Sequence, residues 1–300
     1  MPELPEVEVT RRTLLKFIKN KVIENVKINN SNLRFKIPEN FKKIIIGQKI
    51  VNILRRSKYI LIYLKNNYVI ISHLGMSGKF LIKNNCYKNF LKTSYYSNEF
   101  SSKHNHLEFI FSNNFRVIYN DPRRFGFFIL DEASKLEFNK FLNKLGPEPL
   151  GRNLKKNYLI SKMKLTQRTI KTLLMDQSFI SGIGNIYANE ILFLAKIKPN
   201  KISSRLNLVE ITRLYLSISK VLKRALKLGG SSIKDFKSLV GQKGRFQNEF
   251  KVYDREDLKC LRTRCPGLIA RVVSHSFFFQ CCRKRTWTHH RSGAFANVTC

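Results

Sequence analysis

Pro2 and Glu3 are the first residues of this chain that can do chemistry. With Met1 removed, Pro2 presents a secondary amine at the N-terminus, with a carboxyl group beside it. An α-amine has a pKa near 8 against about 10.4 for lysine, so roughly a tenth of it is unprotonated at neutral pH. Attack of a secondary amine on an aldehydic carbon gives an iminium, which is covalent Schiff-base catalysis. Glu3 can move the proton that such an attack requires. An N-terminal proline is also simply a stiff start to a chain, so the pair needs support from the rest of the sequence.

Further groups recur at suggestive places. Arg55-Arg56-Ser57-Lys58-Tyr59 opens a β-type run, and Lys58 there suits a second amine, a phosphate contact or a solvated edge. His73-Leu74-Gly75-Met76-Ser77-Gly78 follows another apolar run, with glycines that can hold Met76 out on a hairpin. Asp121-Pro122-Arg123-Arg124-Phe125-Gly126 places two arginines and an aromatic on a loop bounded by Pro and Gly. Such a loop suits a wedge entering a DNA stack beside an extruded base; a β-turn with Phe125 in the core is the plainer reading. Ser181-Gly182-Ile183-Gly184-Asn185 leads into a helical run, and a helix N-terminus attracts phosphate. Four of the six cysteines, Cys260, Cys265, Cys281 and Cys282, lie close together near the end. In an intracellular protein that clustering suggests metal more than disulfides. His104-Asn105-His106 is too short a cluster to argue for metal.

The charge narrows the class of partner. Lys+Arg is 56 against 20 Asp+Glu, a formal net charge of +36. Nucleic acid is the polyanion such a balance fits first, although an AT-rich genome also inflates Lys, Asn and Ile. The N-terminal residues lack the pattern of a signal peptide and no apolar run is long enough to span a membrane, so a cytoplasmic protein is expected.

The elements that must position these residues follow from periodicity. Val7–Ile18 predicts a helix. Short β-type runs follow at Val22–Ile28, Ile44–Ile53, Tyr59–Leu64, Tyr68–Ile71, Phe80–Ile82, Leu107–Phe111, Arg116–Tyr119 and Phe127–Leu130, predicting a β-sandwich or barrel-like domain over 1–135. Glu137–Leu145 reads as helix, and the Pro/Gly segment within 136–150 as a linker. Helical periodicity then dominates at Lys155–Ser161, Thr169–Leu174, Ile186–Leu194, Leu208–Leu228 and Ser232–Leu239. Past Cys260 the chain turns from lysine to arginine, with Lys284 its one lysine. A small module of distinct composition and a shifted reading frame both account for that change.

Taken together, the Pro2–Glu8 start, Arg56-Ser57-Lys58-Tyr59, His73–Gly78, Asp121–Gly126 and the Gly182–Glu190 turn resemble, in order and register, bacterial formamidopyrimidine-DNA glycosylases. The resemblance covers about residues 1–258, and the Pro-Glu-Leu-Pro-Glu start is closer to that enzyme than to endonuclease VIII. It implies an α+β fold: an N-terminal β-sandwich with flanking helices, a helix–two-turn–helix DNA-binding domain over 151–250, and a zinc-finger-like hairpin over 251–282 that is degenerate here. Residues 283–300 have no family counterpart.

The resemblance also implies roles. Pro2 would be the Schiff-base nucleophile and Glu3 the assisting acid. Lys58 would serve at the lesion phosphate and in elimination. Met76, Arg123 and Phe125 would fill the gap in the duplex, with Arg123 facing the opposite base. His104 and Asn185 would hold the backbone, and Gly229–Phe250 would close over the everted base. The expected activity is excision of oxidised purines from double-stranded DNA, with lyase cleavage of the abasic site, by a monomer in the bacterial cytoplasm. Oxidised pyrimidines as substrates, or a non-catalytic DNA-binding remnant, are the alternatives.

The expected cofactor is structural zinc on Cys260, Cys265, Cys281 and Cys282, but the sequence departs from the family there. The first pair is separated by four residues and the second pair is adjacent, which suits a tetrahedral knuckle poorly. The family's arginine-bearing tip is replaced by Ser274-His275-Ser276-Phe277-Phe278-Phe279-Gln280. Asp254 stands where the family commonly has glycine. Less than one zinc per chain is therefore expected.

Overall fold

A computed structural model describes residues 1–83, 91–92, 101–231, 244–274 and 277–283. The expected helix Ser232–Leu239, most of the expected closing segment, His275 and the last seventeen residues, 284–300, lie outside them. The chain divides into two compact units, Met1–Leu145 with Ala225–Gln247, and Gly146–Arg224 with Asn248–Cys300.

The first unit begins with helix α1 (Leu4–Ile18), whose buried face of Leu4, Val7, Leu14 and Ile18 follows helical spacing. Nine strands follow among the described residues: β1 (Asn25–Ile28), β2 (Ile50–Arg56), β3 (Tyr59–Leu64), β4 (Tyr68–His73), β5 (Lys79–Lys83), β6 (Leu91–Lys92), β7 (Asn105–Phe111), β8 (Phe115–Asn120) and β9 (Phe127–Glu132). They form a five-stranded sheet, β1-β7-β8-β5-β6, and a four-stranded sheet, β2-β3-β4-β9. Every pairing is antiparallel. Ile60, Ile62, Ile70, Phe80, Leu107 and Phe128 share one core with α1. The alternate residues Leu61, Val69 and Ile71 pack on the other face of the four-stranded sheet, against Leu136, Leu142 and Leu145. Burial of both faces explains why β3 and β4 read as nearly continuous apolar runs.

The chain crosses twice from one sheet to the other at the same corner. Strand β4 lies beside β9 with His73 opposite Phe127, and β5 lies beside β8 with Lys79 opposite Asn120. The connections 74–78 and 121–126 therefore run side by side. At the start of the first, the Gly75 N–H donates to His73 Nδ1 at 3.0 Å, and the ring stacks on Phe127.

The second unit contains α3 (Lys156–Lys164), α4 (Ile170–Met175), α5 (Asn185–Ala195), α6 (Leu208–Lys227, whose last residues fall in the first unit) and the antiparallel hairpin of β10 (Leu268–Ser274) and β11 (Phe277–Arg283). Gln177 organises the α4–α5 turn. Its side chain accepts from Gly182 N and donates to the Met175 and Ile183 carbonyls, all at 2.8 Å. No helix among the described residues is long and apolar enough to cross a membrane.

Two local expectations differ from the structure. The run expected as strand from Ile44 to Ile53 begins instead in a short helix, α2 (Phe41–Ile45), which takes up Ile44 and Ile45. Phe41 and Ile45, four residues apart, are both fully buried there, and Gly47 at φ +78° turns the chain into β2. The helix expected over Glu137–Leu145 is instead a 3₁₀ turn, Ala133–Phe138, followed by tight turns. Asn139 diverts it: its side chain accepts from Phe141 N and donates to Asp131, offering the backbone an alternative to helix.

His73 makes the first unit sensitive to acid. Burial, reinforced by Lys58 and Arg34, lowers its pKa from 6.5 to about 4. Below about pH 6.5 the unfolded chain binds a proton here that the folded chain refuses until about pH 4, so stability falls as pH drops through that window. Denaturant unfolding should show this acid limb. It should be flatter in His73→Asn, which keeps an acceptor for Gly75 but cannot be protonated there. Equal slopes in the two proteins would refute the assignment.

Candidate active site

The N-terminal segment is fixed by the acids of the first helical turn. Glu3 caps α1 in extended conformation, and its N–H donates to Glu6 Oε2 at 2.8 Å. The other Glu6 oxygen accepts the Ser231 N–H at 2.8 Å and its hydroxyl at 3.0 Å. Pro2, Glu3 and Glu6 are all buried. Two carboxylates at a helix N-terminus sit at the positive end of its dipole. Burial lowers the pKa of the Met1 amine; Glu3 and Glu6 oppose this, while Lys58 and Arg123 reinforce it. The Met1 amine is thereby shifted toward its unprotonated form relative to a free α-amine.

Lys58 enters the same electrostatic group from the β2–β3 hairpin. Arg56 pairs with Tyr59, leaving Ser57 and Lys58 as the turn, with Ser57 left-handed at φ +56°. Arg55 braces that turn by donating to Ser57 O at 2.9 Å, and Arg56 donates to Leu145 O at 2.8 Å. Lys58 is only 5% exposed. Burial lowers its pKa, and Glu3 and Glu6 partly restore it. Pro2, Glu3 and Lys58, named separately from the sequence, thus belong to one unit, and Glu3 and Lys58 to one charge cluster with Glu6 and the Met1 amine.

Met76 and Phe125 stand outward on the two sheet-crossing loops, 37% and 43% exposed, while Leu74 between them and the strands is buried. The Arg123 guanidinium lies over the Phe125 ring at 4.6 Å. Beside this pair is an open cleft of about 640 Å³, lined by Asn32, Leu33, Arg34, Arg123, Arg124 and Phe125. Three arginines and an exposed aromatic there suit an anionic, stacking ligand. His104 ends a 3₁₀ turn, half-buried, and its carbonyl accepts from Asp121 N at 3.0 Å.

The remaining named residues belong to the second unit. Asn185 is the first residue of α5 and is half-buried, in reach of Asn189. Glu190, which sequence reasoning passed over, is buried on the same helix. It accepts the backbone N–H groups of Lys251, Val252 and Tyr253 at 2.8–3.1 Å. Burial nonetheless raises its pKa, with those N–H groups acting the other way. Asp254, just beyond, is left-handed at φ +55°, the backbone region that makes glycine the easier residue.

The cysteine set differs from the four expected. The sulfurs of Cys260, Cys265 and Cys282 lie within 4.8 Å of one another, with Cys265 and Cys282 at 3.3 Å. Cys281 is not in the group. It neighbours Cys282 on β11, and successive strand residues point to opposite faces. A backbone N–H from Gly267 lowers the Cys265 pKa, whereas burial raises that of Cys282. Zn–S bonds of about 2.3 Å place tetrahedral sulfurs just under 4 Å apart, so the three thiols fit three corners of a zinc site.

This geometry has known counterparts. Residues 1–128 match the family described as the formamidopyrimidine-DNA glycosylase N-terminal domain, and residues 145–237 match its H2TH domain. The formamidopyrimidine-DNA glycosylase of Roseobacter denitrificans is 38% identical over 287 residues, covering 95% of this chain and all of that protein. The one from a Wolbachia pipientis of Culex pipiens is 41% identical over 260 residues, covering 87% and 91%. Among solved structures, a Lactococcus lactis enzyme mutant complexed with Fapy-dG-containing DNA aligns with TM-score 0.82 at 33% identity, over 94% of this chain and 98% of that one. The same enzyme with abasic-site DNA aligns with TM-score 0.82 at 32% identity, over 93% and 97%. With both of its matched domains in order and relatives aligned along nearly their whole length, the chain belongs to the formamidopyrimidine-DNA glycosylase family.

Proposed function

We propose that this DNA glycosylase excises oxidised purines, 8-oxoguanine and formamidopyrimidines, from double-stranded DNA and then cleaves the abasic site as a lyase. The observation that carries the reading is the buried amine–carboxylate–lysine cluster of the N-terminal segment, Glu3, Glu6 and Lys58, whose burial favours an unprotonated amine. Removal of Met1 turns the Pro2 nitrogen into the terminal amine of this same segment, where Pro2 is buried. The Pro2 nitrogen bonds to C1′ of the everted nucleotide, and the C1′–base bond breaks with a proton delivered to the base. Glu3 protonates the ring oxygen as the sugar opens to an iminium. The iminium acidifies the C2′ protons; loss of one breaks the C3′–O bond, and a second elimination breaks the C5′–O bond. Lys58 holds the lesion phosphate and assists these proton transfers.

Flipping a nucleotide costs a few kcal/mol, which the wedge offsets by refilling the stack. Met76 and Phe125 take the vacated space, Arg123 meets the opposite base, and His104 and Asn185 bind backbone phosphates. Cys260, Cys265 and Cys282 would hold a structural zinc ion, which stabilises the hairpin when bound and takes no part in the reaction.

Borohydride should trap a covalent complex with lesion-containing DNA, and mass mapping should place it on Pro2. An adduct on Lys58 would refute the mechanism. Glu3→Gln should lose base excision more than cleavage of a preformed abasic site. A panel of duplexes should rank 8-oxoguanine and formamidopyrimidine above oxidised pyrimidines; the reverse order would refute the substrate class.

Base–aromatic stacking is worth about 1–3 kcal/mol, so Phe125→Ala should slow excision roughly 5- to 150-fold. Its binding to undamaged duplex should hold nearly constant. Arg123→Ala should blunt discrimination of the opposite base; unchanged discrimination would remove it from that role.

A complete structural zinc site contributes about 10–16 kcal/mol of apparent binding energy. Three thiolates hold less, so purified protein should contain below one zinc per chain, released by chelator. Cys265→Ser should abolish binding and Cys281→Ser should leave the zinc content unchanged. Chelator-resistant, stoichiometric zinc dependent on Cys281 would show a four-thiolate site.

A further inference from the structure

Asp121 is fully buried at the corner where the two sheet-crossing loops run side by side. Its carboxylate takes four donors. Ser77 Oγ donates to Oδ1 at 2.5 Å and the Arg123 N–H to the same oxygen at 3.3 Å. Tyr119 O–H donates to Oδ2 at 3.0 Å and the Gly126 N–H at 2.9 Å. Ser77 belongs to the Met76 loop, Arg123 and Gly126 bracket Phe125, and Tyr119 lies in β8 beneath both. The Ser77 oxygen also accepts the Arg123 N–H at 3.2 Å. The Asp121 backbone is itself held: its carbonyl meets His106 Nε2 at 2.8 Å and its N–H donates to His104 O at 3.0 Å.

Sterics close the same joint. A Cβ on Gly75 would collide with the Phe125 and Gly126 backbone, and one on Gly78 or Gly126 with the Tyr119 hydroxyl. The loops thus touch backbone to backbone where Gly75 meets Phe125 and Gly126, and the Tyr119 hydroxyl fills the space beside Gly78 and Gly126.

We propose that Asp121 is a positioning residue that clamps the Met76 and Arg123–Phe125 loops, through Ser77, into one rigid wedge. The two loops enter the duplex together or not at all, so neither Met76 nor Phe125 acts as an independent probe. The clamp needs an acceptor-only group: an amide of the same size would turn an N–H₂ toward two of the four donors. The inference rests on the wedge reading of Met76 and Phe125, and the experiment separates the two.

Excision of 8-oxoguanine would be measured under single turnover for Met76→Ala, Phe125→Ala and the double variant, with flipping followed by 2-aminopurine placed beside the lesion. The same set would be made in Ser77→Ala, which removes the cross-loop bond with little change of volume, and in Asp121→Asn. Borohydride trapping on single-stranded abasic DNA, which has no stack to fill, controls for folding and for the amine. We expect the double truncation to cost at least tenfold less than the product of the single ones. In the Ser77→Ala background the losses should become multiplicative, with flipping slowed about tenfold and single-strand trapping retained. Asp121→Asn should act in the same direction and more strongly. If the truncations each slow excision but their coupling persists without Ser77 and in Asp121→Asn, the clamp is wrong while the wedge stands. If neither truncation slows excision or flipping, the wedge reading falls and the clamp with it. Loss of single-strand trapping in parallel with excision in Ser77→Ala would make these residues merely structural and overturn the proposal.

Discussion

A buried carboxylate must collect enough donors to replace the water it has left, and Asp121 meets that requirement where the chain twice leaves one sheet for the other. Every donor it gathers is drawn from the two crossing loops or from the strand beneath them. With Asp121 satisfied, the loops have no room to separate, and glycines are the only residues that let them approach so closely. Leu74 is then buried while Met76 and Phe125 face outward. An apolar pair is thus left partly in water on two loops that touch.

Glu6 plays the corresponding part at the N-terminus. One oxygen ties down Glu3 and the other ties down Ser231, so a single side chain positions the start of the chain and a residue far along it. Positive charge on Lys58 and Arg123 and negative charge on Glu3 and Glu6 balance around the amine, and burial tips the balance toward its neutral form. The Met1 amine, Glu3, Glu6 and Lys58 therefore form one coupled set of charges.

The second unit uses a carboxylate again. Glu190 gathers three consecutive N–H groups of Lys251–Tyr253 and so anchors the segment leading to the hairpin on helix α5. The hairpin's small core of Val252, Cys260, Ile269 and Cys282 packs against Phe193, with Arg262 over the Phe193 ring at 4.2 Å. These contacts support the hairpin base independently of metal, consistent with a cysteine set that supplies three thiols together rather than four.

Much of the scaffold was legible in the sequence. Short β-type runs marked β3, β4, β7, β8 and β9, helical spacing marked α1 and α5, and turns bounded by Gly or Pro marked both exposed loops. Pro2, Glu3 and Lys58 stood out as candidates by chemical type before any geometry was known. The Glu3–Glu6 capping pattern was also present to be read, since a carboxylate three residues into a helix reaches back to the cap. Local competition was harder: Asn139 ended a helix that periodicity favoured, and the paired burial of Phe41 and Ile45 made one where a strand was expected. Only the tertiary structure decided that Asp121, Glu6 and Glu190 are the fixing groups and that Cys281 faces away from its neighbour's cluster. Glu6 and Ser231 are 225 residues apart and Ser77 and Asp121 are 44 apart, beyond any periodic signal. Most of the donors these carboxylates collect are backbone N–H groups. Those are alike at nearly every residue, so the fold alone determines which of them a buried acid will meet.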